Sequence, residues 1–217
     1  MTPYYADDLV TLYHGRWQDL AWPEPDLVLA DPPYGIDHPT EYASRGRSSK
    51  GRLRDYRRVA GDTEVFDPRS WLGLAPLILW GANYYADNLP PSSSWLVWDK
   101  RVREGVGVND QADGELAWSN ATKGVRIFRH MWNGMWRDSE RGEHYHPTQK
   151  PVALMAWCLA KAGLRSGQLV YDPFMGAGPV PLAAKSLGLR CVAVEVDEGY
   201  CERAAQRCSQ EVLGLLA

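Results

Sequence analysis

The sequence predicts an α/β fold built on one mostly parallel sheet of about seven strands. Two observations predict it. Short continuous apolar runs bounded by Gly, Pro or Asp recur along the chain, as in strands buried on both faces. Segments with apolar residues at helical spacing lie between and after the last of these runs, so strand and helix alternate and helices are expected on both faces. A chain of 217 residues accommodates one domain with a modest insertion, and the domain is read as 1–217.

Leu9–Tyr13 is the first predicted strand. Asp26–Ala30 is the second and runs into Asp31-Pro32-Pro33. Leu77–Trp80, Trp95–Trp98, Val125–Phe128, Leu169–Tyr171 and Cys191–Val194 complete the set. Helices are predicted over Pro151–Ala162, Pro179–Leu187 and Glu198–Leu215; in the second, Val180, Ala183, Ala184 and Leu187 share a face. The Arg/Ser/Gly/Lys stretch Ser44–Arg54 is of low complexity, and the segment 38–58 around it reads as a mobile surface loop.

Composition excludes several classes. With 45% hydrophobic and 24% charged residues the chain is neither disordered nor fibrous. No apolar run approaches the roughly 20 residues that span a bilayer, so no membrane partner is expected. The start, Met1–Asp8, lacks the basic and apolar regions of a signal peptide, and a cytoplasmic protein is expected. Cys158, Cys191, Cys201 and Cys208 form no Cys-x-x-Cys pair and have no histidine at zinc-ligand spacing. They read as reduced, core-facing thiols, with no metal site.

The net charge of −3 is unevenly spread. Arg45, Arg47, Lys50, Arg52, Arg54, Arg57 and Arg58 face a single nearby acid, Asp55. Such a stretch on an acidic body either meets a polyanion or is simply solvated.

Three motifs carry chemistry. Tyr171-Asp172-Pro173-Phe174-Met175-Gly176-Ala177-Gly178 follows a strand and opens a helix. Glycines there let a ligand approach the backbone, and the helix start offers free N–H groups. Glu195 ends the next strand, where a carboxylate can accept both hydroxyls of a ribose. Pro181 replaces the third glycine of a dinucleotide fingerprint, so a nucleoside cofactor without phosphates suits the turn better. In Asp31-Pro32-Pro33-Tyr34 two prolines stiffen the chain after a strand. Its plain reading is a turn that closes the strand. Its chemical reading is a paired acceptor, the Asp31 carboxylate with a backbone carbonyl, beside a ring able to stack on a planar base. His146-Pro147-Thr148-Gln149-Lys150-Pro151 crowds hydroxyl, amide and ammonium groups before a helix, either as a capping turn or as a grip on a carboxylate.

Along the chain Asp31–Tyr34 comes first, His146–Pro151 second and Asp172–Gly178 last. In that chain order the three motifs resemble those of the DNA amino-methyltransferases that use S-adenosylmethionine, in the permuted arrangement called the beta class. The stretches Leu79–Tyr84 and Trp95–Lys100, and Glu195-Val196-Asp197 with Tyr200 and Arg203, continue the likeness, which covers nearly the whole chain and is nearest to short phage-associated members. The resemblance implies a Rossmann-like methyltransferase sheet, permuted so that the cofactor strands come last. It implies methyl transfer to the N6 of an adenine flipped out of double-stranded DNA. Asp31, Pro32, Pro33 and Tyr34 are then catalytic. Asp172, Pro173, Phe174, Gly176 and Gly178 hold the methionine and ribose side of the cofactor, Glu195 holds the ribose hydroxyls, and His146, Thr148 and Lys150 lie near the methionine carboxylate. The seven bases from Arg45 to Arg58 contact DNA phosphates, and residues 100–145 are expected to hold a small target-recognition insertion. The resemblance leaves monomer or dimer open, and likewise a restriction partner.

Two departures stand out. Arg16 occupies the place of the acid expected near the cofactor adenine, with Asp19 as the nearest substitute, and Pro179 replaces the threonine that usually follows the last glycine. Cytosine N4 methylation is the alternative within the family, although Asp at position 31 is commoner among adenine enzymes and Ser among cytosine ones. A non-catalytic DNA-binding protein on a decayed fold is an alternative of another class. Methylation of RNA or of protein glutamine goes with the opposite motif order.

Overall fold

The computed structural model describes residues 1–36, 61–101, 112–133, 136–140 and 149–210. They contain β1 (Tyr5–Ala6), β2 (Val10–His14), β3 (Leu27–Ala30), β4 (Leu77–Trp80), β5 (Trp95–Asp99), β6 (Gly114–Ser119), β7 (Arg126–Arg129), β8 (Trp132–Asn133), β9 (Trp136–Arg137), β10 (Leu169–Asp172) and β11 (Arg190–Glu195). The α-helices are α1 (Val152–Ala162), α2 (Pro179–Ser186) and α3 (Glu198–Ser209). Among the described residues no helix is long and apolar enough to cross a membrane. The end of the helix expected to reach Leu215 lies outside the described residues beyond 210, as does the whole segment 38–58 with Arg45, Arg47, Lys50, Arg52, Arg54, Arg57 and Arg58.

Nine strands, rather than about seven, form one sheet in the order β1-β2-β11-β10-β3-β4-β6-β5-β7, and β8 pairs with β9 apart from it. From β2 to β4 all pairings are parallel; β6 runs antiparallel to both β4 and β5, and β7 parallel to β5. The sheet is thus the expected mostly parallel one, with β7 at one edge matching the predicted strand Val125–Phe128 and with β1, at the other edge, and β6 added to the predicted seven. The strand missing from the sequence reading within the sheet is β6. It opens on Gly114-Glu115 and offers only Leu116, Ala117 and Trp118 as a run, the weak signature of an antiparallel strand. Both β6 and β7, which fall within the 100–145 stretch, are strands of the sheet.

Alternation along each strand sorts the core into two layers. Leu27, Leu29, Ile78, Trp80, Val170, Cys191 and Ala193 face one layer, which also takes the buried sides of α1, α2 and α3. Val28, Ala30, Leu77, Leu79, Tyr171 and Val194 face the other, where no α-helix among the described residues contributes to the buried cluster. That second face is closed instead by short 3₁₀ turns and large rings: Trp71, Tyr85 and Trp118 are buried there, with Trp17, Trp22, Phe66 and Phe174 packed against them. Among the described residues the α-helices therefore lie against one face. The rings do a helix's work because each buries on the order of 150–250 Å².

All four cysteines are buried and unpaired. Burial pushes the thiols of Cys201 and Cys208 up to about 12, which leaves them inert as nucleophiles.

Candidate active site

The chain leaves β3 for β4 on one side and β10 for β11 on the other, so a crevice opens above the carboxyl ends of β3 and β10. Register sets the heights. Tyr171 pairs with Val28 and Asp172 with Ala193, so Asp31, Phe174 and Glu195 stand at one level above the sheet. A cleft of about 730 Å³ fills the crevice. Its walls include Asp31, Pro32, Pro33 and Tyr34 from one half, and Asp172, Pro173, Phe174, Gly176 and Glu195 from the other.

The glycine turn is held by carboxylates. Glu195 accepts the N–H of Gly176 at 2.9 Å through one oxygen and that of Asp197 at 2.9 Å through the other. Burial raises the Glu195 pKa, and these N–H groups oppose the rise. Asp172 accepts the Phe174 N–H at 3.1 Å, and burial lifts its carboxyl well above the usual range. Gly178 has φ +81°, and a Cβ there would come within 2.9 Å of the Ala204 side chain on α3, so only glycine lets α2 start this close to α3. Arg16 and Gln18 lie on the cleft wall; Asp19 is exposed and does not line it. His146 and Thr148 are outside the described residues.

The opposite corner is built around Asp31. One carboxylate oxygen accepts the Tyr34 hydroxyl at 2.5 Å, and the other accepts the Lys150 ammonium at 2.7 Å. Lys150, expected near the methionine carboxylate of the cofactor, lines the cleft and turns its ammonium to the Asp-Pro-Pro-Tyr corner. It also donates to the Tyr34 oxygen at 3.1 Å and lies 2.9 Å from a Glu115 oxygen, while Lys100 pairs with the other Glu115 oxygen. Burial works against the Lys150 ammonium, but the Asp31 and Glu115 charges outweigh it and hold the pKa above the ordinary lysine value. Burial pushes Glu115 up, and Lys150 and Lys100 pull it down to about 2. Asp31 is raised by burial, against the pull of Lys150.

Two further groups position Tyr34. Asp62 takes the backbone N–H groups of Tyr34 at 3.0 Å and Gly35 at 2.9 Å on one oxygen, fixing the loop after the prolines. The Tyr34 ring stacks on Tyr84, with centroids 4.9 Å apart and planes 13° from parallel, and lies over Gly81. A Cβ on Gly81 would stand 1.9 Å from that ring. Gly81, Tyr84 and Lys100 fall in stretches already noted in the sequence, although no role was legible there. Asp62 and Glu115 belong to no motif.

Comparison with known proteins agrees with this architecture. A family model described as DNA methylase, for N6 and N4 methyltransferases, matches residues 84–207, more than half of the chain, though it begins after Asp31. The Type II methyltransferase M2.DpnII of Streptococcus pneumoniae is 23% identical, with 96% of this chain and 93% of that protein covered. Among solved structures, the cytosine-N4-specific PvuII DNA methyltransferase superposes with a TM-score of 0.60 at 15% identity, covering 97% of this chain and 90% of that one. M1.HpyAVI in complex with S-adenosylmethionine superposes with a TM-score of 0.51 at 18% identity, covering 92% of this chain and all of that one. With a glycine turn and an Asp-Pro-Pro-Tyr corner on one cleft, and with the family model matched over most of the sheet and all three helices, the chain belongs to the N6/N4 DNA methylase family.

Proposed function

We propose that this protein methylates the N6 amine of an adenine flipped out of double-stranded DNA, with S-adenosylmethionine as donor. The observation that carries the proposal is that Asp31 and the Gly176 turn line the same cleft.

The residues present fit the cofactor. The cleft volume of about 730 Å³ lies within the range of roughly 300–1,000 Å³ usual for small-molecule sites. Glu195 is oriented by two backbone N–H groups and keeps lone pairs for the ribose hydroxyls. Asp172, Pro173, Phe174 and Gly176 wall the methionine side, and Gly178 sets the helix start behind them. When bound, S-adenosylmethionine supplies a methyl group activated by its sulfonium.

The rest falls to the chain. A base amine is a poor nucleophile because its lone pair is delocalised into the ring. Hydrogen bonds from its two N–H groups to the Asp31 carboxylate and the Pro32 carbonyl localise that pair and stabilise the positive charge that grows on nitrogen. Pro33 has no N–H to compete at this turn. Tyr34 supports the base, offsetting the few kcal/mol of extrusion with stacking of ~1–3 kcal/mol. Gly81→Ala tests that support. The new methyl group must displace the Tyr34 ring, and misplacement by about 1 Å is expected to lower turnover about 10²-fold without changing stabilisation by the cofactor.

The bases Arg45, Arg47, Lys50, Arg52, Arg54, Arg57 and Arg58 are proposed to neutralise DNA phosphates, and parts of residues 100–145 to read the target. Neutralising Arg52, Arg54, Arg57 and Arg58 together is expected to weaken binding on every sequence. It should also flatten the plot of log affinity against log salt by up to ~3–4. Fluorescence anisotropy at several salt concentrations measures this, and an unchanged slope rejects the contact.

The deciding experiment is incubation with isotopically labelled S-adenosylmethionine and mixed DNA, followed by nucleoside digestion, mass spectrometry and mapping of the modified sites. Labelled N6-methyladenine is the expected product. N4-methylcytosine would transfer the same mechanism to the other base. DNA binding without stabilisation by the cofactor would favour the non-catalytic alternative.

A further inference from the structure

The Asp31 corner is already occupied by a cation. Lys150, only 4% exposed, holds the Asp31 oxygen at 2.7 Å, and the Tyr34 hydroxyl holds the other. A target amine therefore competes with these donors for the lone pairs of the carboxylate, and a shift of Lys150 frees the oxygen that it holds. The structure also supplies a place for Lys150 to go. The Glu115 oxygen facing it is buried, lies 2.9 Å from the ammonium and, Lys150 aside, has no partner among the described residues. Glu115 is brought there by β6, and Gly114 lets that strand approach, since a Cβ at Gly114 would stand 2.4 Å from the Trp98 carbonyl oxygen.

We propose that Lys150 holds the amine's place on Asp31 and yields it by moving its ammonium onto Glu115 when the target base enters. Glu115 is then a positioning residue that acts through Lys150. The inference rests on the reading of Asp31 as the acceptor of the target amine.

Charge bookkeeping favours the exchange. Asp31 and Glu115 balance Lys150 and Lys100 whichever carboxylate the Lys150 ammonium is closer to, so no buried charge is orphaned. The incoming amine is neutral. Once Lys150 has shifted, the Asp31 charge is free to meet the positive charge developing on the amine nitrogen. Before the base arrives, the same lysine keeps a part-buried carboxylate paired.

The test compares two duplexes carrying the site mapped above. One bears the natural target base and the other the same base without its exocyclic amino group. Affinities are measured with S-adenosylhomocysteine present, so that binding is read without turnover. The wild-type protein is expected to prefer the amino-bearing duplex by about 10-fold or more, the scale of a hydrogen bond to a charged group. Glu115→Gln removes the charge that receives Lys150, and the preference should fall to within about 2-fold, with S-adenosylhomocysteine affinity unchanged and kcat lowered. In a Lys150→Met background there is no ammonium to move, so adding Glu115→Gln should change the preference by less than about 2-fold. Should Glu115→Gln not fold, Glu115→Asp, which draws the acceptor back by one methylene, carries the same expectations. An undiminished preference in the Glu115 variant, or an equal loss in both backgrounds, overturns the inference. A wild-type protein that methylates no DNA strikes the underlying reading instead, so the two failures are distinguishable.

Discussion

Asp31→Ala is expected to reduce methyl transfer by about 10²–10³-fold while the protein still folds and still responds to the cofactor. The size follows from position. The carboxylate stands where positive charge develops, in a corner shared with buried Lys150 and Tyr34, and preorganised charge there needs no reorganisation during the reaction. Folding survives because Lys150 keeps the Glu115 carboxylate 2.9 Å away and the Tyr34 oxygen at 3.1 Å. Cofactor stabilisation survives because Glu195 and the glycine turn belong to the other half of the sheet. Initial rates with labelled cofactor, paired with thermal shifts at saturating cofactor, separate the two effects. An Asp31→Ala protein with wild-type turnover would remove Asp31 from the mechanism.

Glu140→Ala is expected to produce the largest loss of stability. Its side chain is 5% exposed and pairs at 2.7 Å with Arg207, itself 9% exposed. The same carboxylate accepts the N–H of Val152 at the start of α1, and Arg207 also donates to the Ala177 carbonyl at 2.7 Å. One ion pair thus joins α1, α3 and the glycine turn. Removing one partner of a buried pair costs about 3–5 kcal/mol, because the other charge stays desolvated. For a chain of this size that lowers Tm by on the order of 10 °C. Arg69→Ala is the control: Arg69 and Asp67 pair at 2.5 Å but are 67% and 44% exposed, and solvent screens them. Equal small shifts in both variants would show that the Glu140 pair carries no such load. Because Arg207 also grips the turn at Ala177, Glu140→Ala should in addition weaken stabilisation by the cofactor.

What was legible in the sequence was whatever a local pattern determines. β3, β10 and β11 read clearly because strands buried on both faces leave continuous apolar runs, and Asp31, Gly176 and Glu195 follow directly from their ends. β6 did not, since an antiparallel strand opening on Gly-Glu carries no such run, and Glu115 was lost with it. The environment of Lys150 was equally out of reach. Its partner Asp31 is 119 residues earlier, and nothing in His-Pro-Thr-Gln-Lys-Pro says which carboxylate its ammonium will meet. Trp17, Trp22, Trp71 and Trp118 belong to the ring layer on the second face of the sheet. Aromatic residues in loops carry no periodicity, so that layer has no one-dimensional signal.

The sheet order also bears on how the molecule comes into being. β2 and β3 precede β10 and β11 along the chain, yet β2 and β3 are not neighbours: β11 and β10 lie between them. Until those strands arrive, β2 and the flank of β3 that will receive β10 are open edges, which invite pairing with other chains. With a closing contact that spans from Val28 to Tyr171, assembly is governed by slow long-range pairing, and the crevice comes into existence only after β10 has been made.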